Sequence, residues 1–171
     1  MSTSNVKTID ITFTPVTVDK LSHVIMLAHR IWPIAYEGIL TPEQIENMLQ
    51  RIYIRENLEK EIQSGHQFWL AYHDTKPVGY ASAYKEDDII WLRKLYVDVS
   101  MQGKRIGSRL MHTTITPFLP AQEIRLFANP YNTSAHTFYE RMGFKKIGET
   151  PVQMGDWNFN DFIFSLPLNE K

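Results

Sequence analysis

The stretch Leu95 to Leu110, LYVDVSMQGKRIGSRL, passes from strand-like alternation through a Gln-Gly turn directly into a helical period. A helix that opens at the end of a strand presents its first N–H groups and the positive end of its dipole there, so the N–H groups around Gln102 to Gly107 form a potential anion site for a phosphate or pyrophosphate. Lys104, Arg105 and Arg109 add local positive charge. On a helical wheel Ile106, Gly107, Leu110 and Met111 share one side, and the missing side chain at Gly107 permits close helix-sheet approach. The segment is neither a P-loop, since no glycine precedes Gly103 at the required spacing and no Ser or Thr follows Lys104, nor a GxGxxG turn. Taken alone, it reads equally well as an ordinary strand-to-helix connection with a basic rim.

The surrounding periods place this segment in a larger layering. Ile9 to Phe13 alternates like a first strand, and Leu21, Val24, Ile25, Ala28 and Ile31 recur at helical spacing. Thr41, Pro42 and Gln44 match an N-cap, a proline at the first helical position and a capping-box partner, for a helix running to about Arg51. Arg55 to Gln63 is helical and mostly charged, and is expected at the surface. Phe68 to Tyr72 and Val78 to Tyr84 form a hairpin about a turn at Asp74 to Pro77. After a second turn at Glu86 to Asp88, Ile89 to Val99 reads as a long strand. Ile90 and Leu92 set one phase of it and Leu95, Val97 and Val99 the other, the pattern that a bulge around Arg93 and Lys94 would leave. A helix from about Lys104 to Thr116, stopped by Pro117, a strand Ile124 to Ala128 and a helix Thr133 to Met142 follow. Strands around Phe144 to Ile147 and Asn158 to Ser165 close the chain. Antiparallel strands followed by a βαβ-like unit predict an α/β (mixed α+β) domain, its central mixed, mostly antiparallel sheet carrying helices on both faces. No repeat or linker divides residues 1–171, which are read as a single domain.

Composition narrows the chemistry. None of the 171 residues is cysteine, which removes disulfide frameworks, cysteine-ligated metal sites and a cysteine nucleophile. The formal net charge of -1 lacks the basic excess that nucleic-acid binding leaves, so no nucleic acid is expected as the main partner. Met1 to Asp10 shows no targeting pattern and no apolar run approaches membrane-spanning length, so the chain is expected to be cytoplasmic, without a membrane partner. The histidines have no metal-site spacing, no HExxH occurs, and no metal is expected; no GxSxG elbow appears either.

Asn129 to Phe144, NPYNTSAHTFYERMGF, puts Asn132, Ala135, Tyr139 and Met142 along one face of a helix. Together with QGKRIG this resembles the GNAT superfamily of acetyl-CoA-dependent N-acetyltransferases. Gln102 and Gly107 match the ends of the family's first motif, and Asn132, Ala135, Tyr139, Gly143 and Phe144 match its second. In one departure, Arg105 stands where the family has an inner glycine that lets the backbone approach the pyrophosphate. Arg105 falls on the side of the helix with Arg109 and His112, away from the apolar stripe, and the cofactor assignment is kept. Within the superfamily, IWPIAYEGILTPEQIENML and VQMGDWNFNDFIF look similar to bacterial spermidine/spermine N-acetyltransferases.

The resemblance implies acetyl-CoA (coenzyme A) as co-substrate, held by Leu95 and Val97 of the strand, by Gln102, Gly103, Lys104, Arg105, Ile106 and Gly107 of the turn, and by Asn132 and Tyr139. It implies a polyamine or other small amine as acceptor, with a homodimer left open. In the implied mechanism a neutral amine attacks the thioester, and a tetrahedral intermediate expels the thiolate. An alkyl amine with a pKa of about 10.4 must first lose a proton, and Glu37, Glu43 and Glu86 are the candidate bases. N–H groups released by the bulge would meet the oxyanion. Tyr139 is the expected catalytic donor to the thiolate. A tyrosine pKa of about 10 against about 8.5 for a thiol makes full transfer uphill by roughly 2 kcal/mol, so a hydrogen bond that becomes transfer in the transition state is expected.

Other readings stand beside these. Tyr139 alone would be a core aromatic, Asn132 a helix N-cap and the acidic turn Glu86, Asp87, Asp88 a solvated hairpin. Trp32 and Tyr36 either line an amine pocket by cation-π contact or close the core. The alternatives for the whole chain are acetylation of a protein N-terminus or lysine, and a non-catalytic coenzyme A-binding sensor.

Overall fold

The computed structural model describes residues 9–168. Seven strands form one sheet in the order β1-β2-β3-β4-β5-β7-β6, and all neighbours are antiparallel except β4 and β5. The strands are β1 (Ile11–Pro15), β2 (Gln67–His73), β3 (Lys76–Glu86), β4 (Ile89–Val97), β5 (Glu123–Ala128), β6 (Lys145–Met154) and β7 (Trp157–Pro167). The helices are α1 (Leu21–Ala35), α2 (Pro42–Ile52), α3 (Arg55–Gln63), α4 (Ile106–Ile115) and α5 (Thr133–Arg141). Among the described residues no helix is long and apolar enough to cross a membrane. The expectation about a targeting segment in Met1 to Asp10 concerns residues that mostly lie outside the described ones.

The two faces of the sheet are separated by strand alternation. On β3, Tyr80 packs with Leu21, Ile31 and Leu49 of the α1–α3 layer, whereas Ala81 packs with Ile106 and Leu110 of α4. The bulge expected in β4 is present: Ala83 of β3 pairs with Leu92 and Ser82 with Lys94, leaving Arg93 as the extra residue. That insertion flips the phase. Ile90, Leu92 and Leu95 pack with the α4 side, while Lys94 lies by the rings of Phe68 and Tyr53 on the opposite face.

Several boundaries differ from the sequence expectation. Strand β4 ends at Val97, and Val99 lies in a short 3-10 turn with 43% of its surface exposed. Helix α4 starts at Ile106 rather than Lys104, because Arg105 adopts a left-handed conformation (φ 60°, ψ 17°) that no α-helical residue can take. Strand β6 begins at Lys145 but runs on to Met154, β7 is longer at both ends, and the two form one extended hairpin. Helix α3 buries Leu58 completely and turns Glu61 inward onto Lys94, so its charge pattern was not a sign of a wholly solvated helix. The capping box of α2 is formed as expected, with the Gln44 N–H donating to Thr41 Oγ1 (3.1 Å) and the Thr41 N–H to Gln44 Oε1 (2.9 Å).

Candidate active site

Strand β4 pairs with β5 only from Ile89 to Trp91, opposite Glu123 to Arg125. Beyond Trp91, β4 continues on β3 as far as Val97 and β5 on β7 as far as Ala128, so the two parallel strands part in the middle of the sheet. Two strand edges then face a gap without each other's N–H and C=O groups, a setting that accepts an extended chain carrying amides. Leu95 and Val97, the strand residues expected to hold the cofactor, lie on the β4 edge of this gap.

The turn after β4 supplies the second part. Gln102, Gly103, Lys104 and Arg105 are exposed, and the Gln102 side-chain amide donates to the Val97 carbonyl (3.3 Å). The first hydrogen bond of α4 runs from the Arg109 N–H to the Arg105 carbonyl (3.2 Å). The N–H groups of Ile106, Gly107 and Ser108 therefore have no acceptor within the helix and suit an anion. Ile106 itself is buried, at 1% exposure, and anchors the helix. A Cβ on Gly107 would lie 3.4 Å from the Phe138 ring and 3.9 Å from Val97. These are ordinary van der Waals distances, so the packing of α4 does not itself require glycine at 107, contrary to the sequence expectation.

On the α1–α3 side, the parted strands open into a cleft of ≈ 360 Å³. Its wall is a tyrosine-tryptophan network. The Trp32 indole N–H donates to the Tyr80 hydroxyl (3.2 Å), Tyr80 donates to Tyr53 (2.7 Å), and Tyr36 and Tyr96 share a hydrogen bond of 2.9 Å. Burial raises the pKa of all four tyrosines, so their hydroxyls stay neutral. Trp32 and Tyr36 pack in the core and also line the cleft.

Helix α5 closes one end. The Asn132 side chain caps it, accepting from the Ala135 N–H (3.3 Å), and Asn132 also lines the cleft. Tyr139, one helical face further on, lines the same cleft half-buried. Desolvation, followed by the nearby Tyr36, pushes its hydroxyl pKa up from the ordinary tyrosine value. The structure thus brings Leu95, Asn132 and Tyr139 to one cleft, and holds the 102–107 turn next to α5 through the Gly107–Phe138 contact.

The three candidate bases are not in that cleft. Glu37 follows α1, Glu43 opens α2 and Glu86 ends β3, all exposed and none on the cleft wall. The carboxylates on the wall are Glu61 and Asp161, which the sequence reading did not single out. Glu61 is committed to Lys94, whose Nζ lies 2.9 and 3.0 Å from its two oxygens. Asp161, on β7, is half-buried, and desolvation raises its pKa while Arg93 opposes the rise. A sequence signal for it existed: in Phe159, Asp161, Ile163 a carboxylate interrupts the apolar phase of a strand. Among the described residues no group of side chains could hold a metal ion.

Residues 37–159 match the family model described as Acetyltransferase (GNAT) domain. A spermidine N(1)-acetyltransferase of Thermoplasma acidophilum is 26% identical over 136 residues, 75% of this chain and 84% of that protein. An N-acetylaspartate synthetase of Xenopus tropicalis is 32% identical over 90 residues, 50% of this chain and 33% of that protein. Among solved structures, the PaiA N-acetyltransferase of Thermoplasma acidophilum in complex with coenzyme A superposes with a TM-score of 0.79 at 26% identity, covering 93% of this chain and 99% of that one. The ribosomal-protein-S18-alanine N-acetyltransferase of Escherichia coli shares the fold with a TM-score of 0.72 at 15% identity, over 95% of this chain and 96% of that one.

Proposed function

The chain belongs to the GNAT acetyltransferase family, and from that premise we propose that it acetylates the primary amine of a small molecule, with a polyamine as the leading acceptor. Its general activity is acetyl-CoA-dependent N-acetyl transfer. The observation that carries the acceptor reading is the cleft of ≈ 360 Å³, walled by neutral tyrosines and Trp32, with a carboxylate at Asp161 and the β4–β5 gap beside it. Aromatic faces and a carboxylate attract an alkylammonium, and a walled cleft of this size suits a small acceptor. Similarity to a spermidine N(1)-acetyltransferase supports the polyamine choice.

In this reading the parted strands take the extended arm of acetyl-CoA along Leu95 and Val97, and the turn Gln102 to Gly107 takes its pyrophosphate. The N–H groups of Ile106, Gly107 and Ser108 supply donors there, and Lys104 and Arg105 supply charge. Asn132 orders the start of α5. Backbone N–H groups at the Arg93 bulge stabilise the oxyanion as the amine attacks the thioester. Tyr139 donates a hydrogen bond to the departing sulfur.

The test is release of free coenzyme A from acetyl-CoA with spermidine, spermine, small monoamines, amino acids and a lysine peptide offered separately. Preferential turnover of spermidine or spermine is expected. Turnover confined to the lysine peptide would replace the small-amine reading by a protein-acetylating one, and coenzyme A binding with no turnover would favour a sensor.

A further inference from the structure

The attacking amine arrives protonated, so the cleft must contain a group that both attracts an ammonium and accepts a proton from it. Two carboxylates line the cleft, and they differ in availability. Both oxygens of Glu61 are taken by the Lys94 ammonium. The Asp161 carboxylate has no hydrogen bond or ion pair to any described residue. Its position in β7 explains its aim. Phe162 pairs with Ala128, the last residue of β5, so Asp161 is the first residue of β7 past the end of its neighbour. It shares a strand face with Phe159, which packs in the α1–α3 layer. That face meets the Tyr36–Tyr96 hydroxyl pair, and the Asp161 charge acts on Tyr36.

We propose that Asp161 binds the ammonium of the acceptor and takes its proton, a catalytic role that rests on the small-amine reading above. The Asp161 oxygen accepts one proton from R–NH3+, leaving a lone pair on nitrogen. The C–N bond to the acetyl carbonyl then forms and the C–S bond breaks, Tyr139 donating a hydrogen bond to the sulfur while the thiolate takes a proton from solvent, to which Asp161 returns the one it accepted. The second N–H proton of the attached amine leaves through solvent, so the sum is amide, coenzyme A thiol and one proton released. Burial favours the role, since it raises the affinity of this carboxylate for a proton, and Arg93 opposes that rise in part.

The experiment compares wild type, Asp161→Asn and Asp161→Glu with spermidine as probe. It measures kcat/KM with acetyl-CoA, spermidine binding by calorimetry without acetyl-CoA, and coenzyme A affinity and thermal midpoint as controls for folding. Loss of about 10²-fold in kcat/KM and about tenfold in spermidine affinity is expected for Asp161→Asn, with unchanged coenzyme A affinity and partial recovery in Asp161→Glu. An Asp161→Asn protein within about twofold of wild type in both quantities overturns the proposal, and leaves the small-amine reading standing if wild type turns spermidine over. If wild type acetylates no amine, that reading fails and Asp161 is judged on binding alone: equal spermidine heats in wild type and Asp161→Asn overturn its role.

Discussion

Replacing Glu61 by glutamine leaves the Lys94 ammonium, 6% exposed, without its counter-charge. In the native protein Lys94 Nζ donates to both Glu61 oxygens and lies 5.3 Å from the Phe68 ring and 5.9 Å from the Tyr53 ring. Removing one partner of a buried ion pair costs about 3–5 kcal/mol. Glutamine keeps one acceptor oxygen and the Glu61 side chain is 20% exposed, so the expected loss falls somewhat below that range, about 2–3 kcal/mol. At an m-value of about 2 kcal/mol/M, the urea midpoint falls by about 1–1.5 M. The loss also depends on pH. Desolvation lowers the Lys94 pKa in the folded protein, and Glu61 opposes that shift. Between the folded pKa and the ordinary lysine value the unfolded chain binds more protons, so stability rises with pH there. In Glu61→Gln the opposing charge is gone, the folded pKa falls further and the rise begins at lower pH. The gap between variant and wild type therefore narrows as pH increases through the alkaline range. Urea titrations followed by tryptophan fluorescence, repeated across that range, measure both effects. A gap below about 0.5 kcal/mol, the ordinary scatter of surface substitutions, or one that widens with pH, would refute the placement of this pair.

Three further outcomes are expected. Tyr139→Phe lowers kcat by at least about tenfold while coenzyme A affinity stays within about twofold, because burial makes the hydroxyl a weaker acid than free tyrosine and limits it to a hydrogen bond that tightens as the thiolate forms; steady-state kinetics with equilibrium coenzyme A binding separate the two, and an unchanged kcat removes Tyr139 from the role. Arg93→Ala removes the cation that the bulge places at the cleft, and is expected to lower KM for spermidine about two- to fivefold by relieving like-charge repulsion; a higher KM would instead indicate an acceptor that carries an anionic group. Arg105→Gly exchanges the cost of a left-handed arginine for the greater chain entropy of glycine, so the thermal midpoint is expected to move by less than about 4 °C; a larger fall would show that the Arg105 side chain holds the turn.

The legible parts of the fold are those where one local signal decides the matter. Thr41, Pro42 and Gln44 mark a helix start through side-chain to backbone bonds within a few residues, and the bond geometry follows. The bulge at Arg93 was readable because a phase reversal in a buried strand has few other causes. Arg105 was misplaced inside a helix because nothing in its own side chain announces a left-handed backbone, which glycine or asparagine normally signals. The residues to which the family motifs point, Gln102 to Gly107, Asn132 and Tyr139, can be named from the sequence. The cleft wall formed by Glu61, Lys94 and Asp161 cannot, because they are distant in sequence and meet only after α3, β4 and β7 assemble. Charge on α3 reads as a solvated surface, but the sheet places Glu61 against the cleft, whereas the Glu86 turn lies at a hairpin end off the cleft wall, in keeping with its reading as a solvated hairpin rather than with Glu86 as a base.

The product of one reaction tests the polyamine assignment most directly. Purified protein is incubated with acetyl-CoA and spermidine, the small molecules are identified by mass spectrometry, and coenzyme A thiol is counted in the same sample. Acetylspermidine, formed in equal amount with free coenzyme A and absent without protein, is the predicted result. Coenzyme A release without any acetylated amine, or no release in a sample that demonstrably binds coenzyme A, would contradict it.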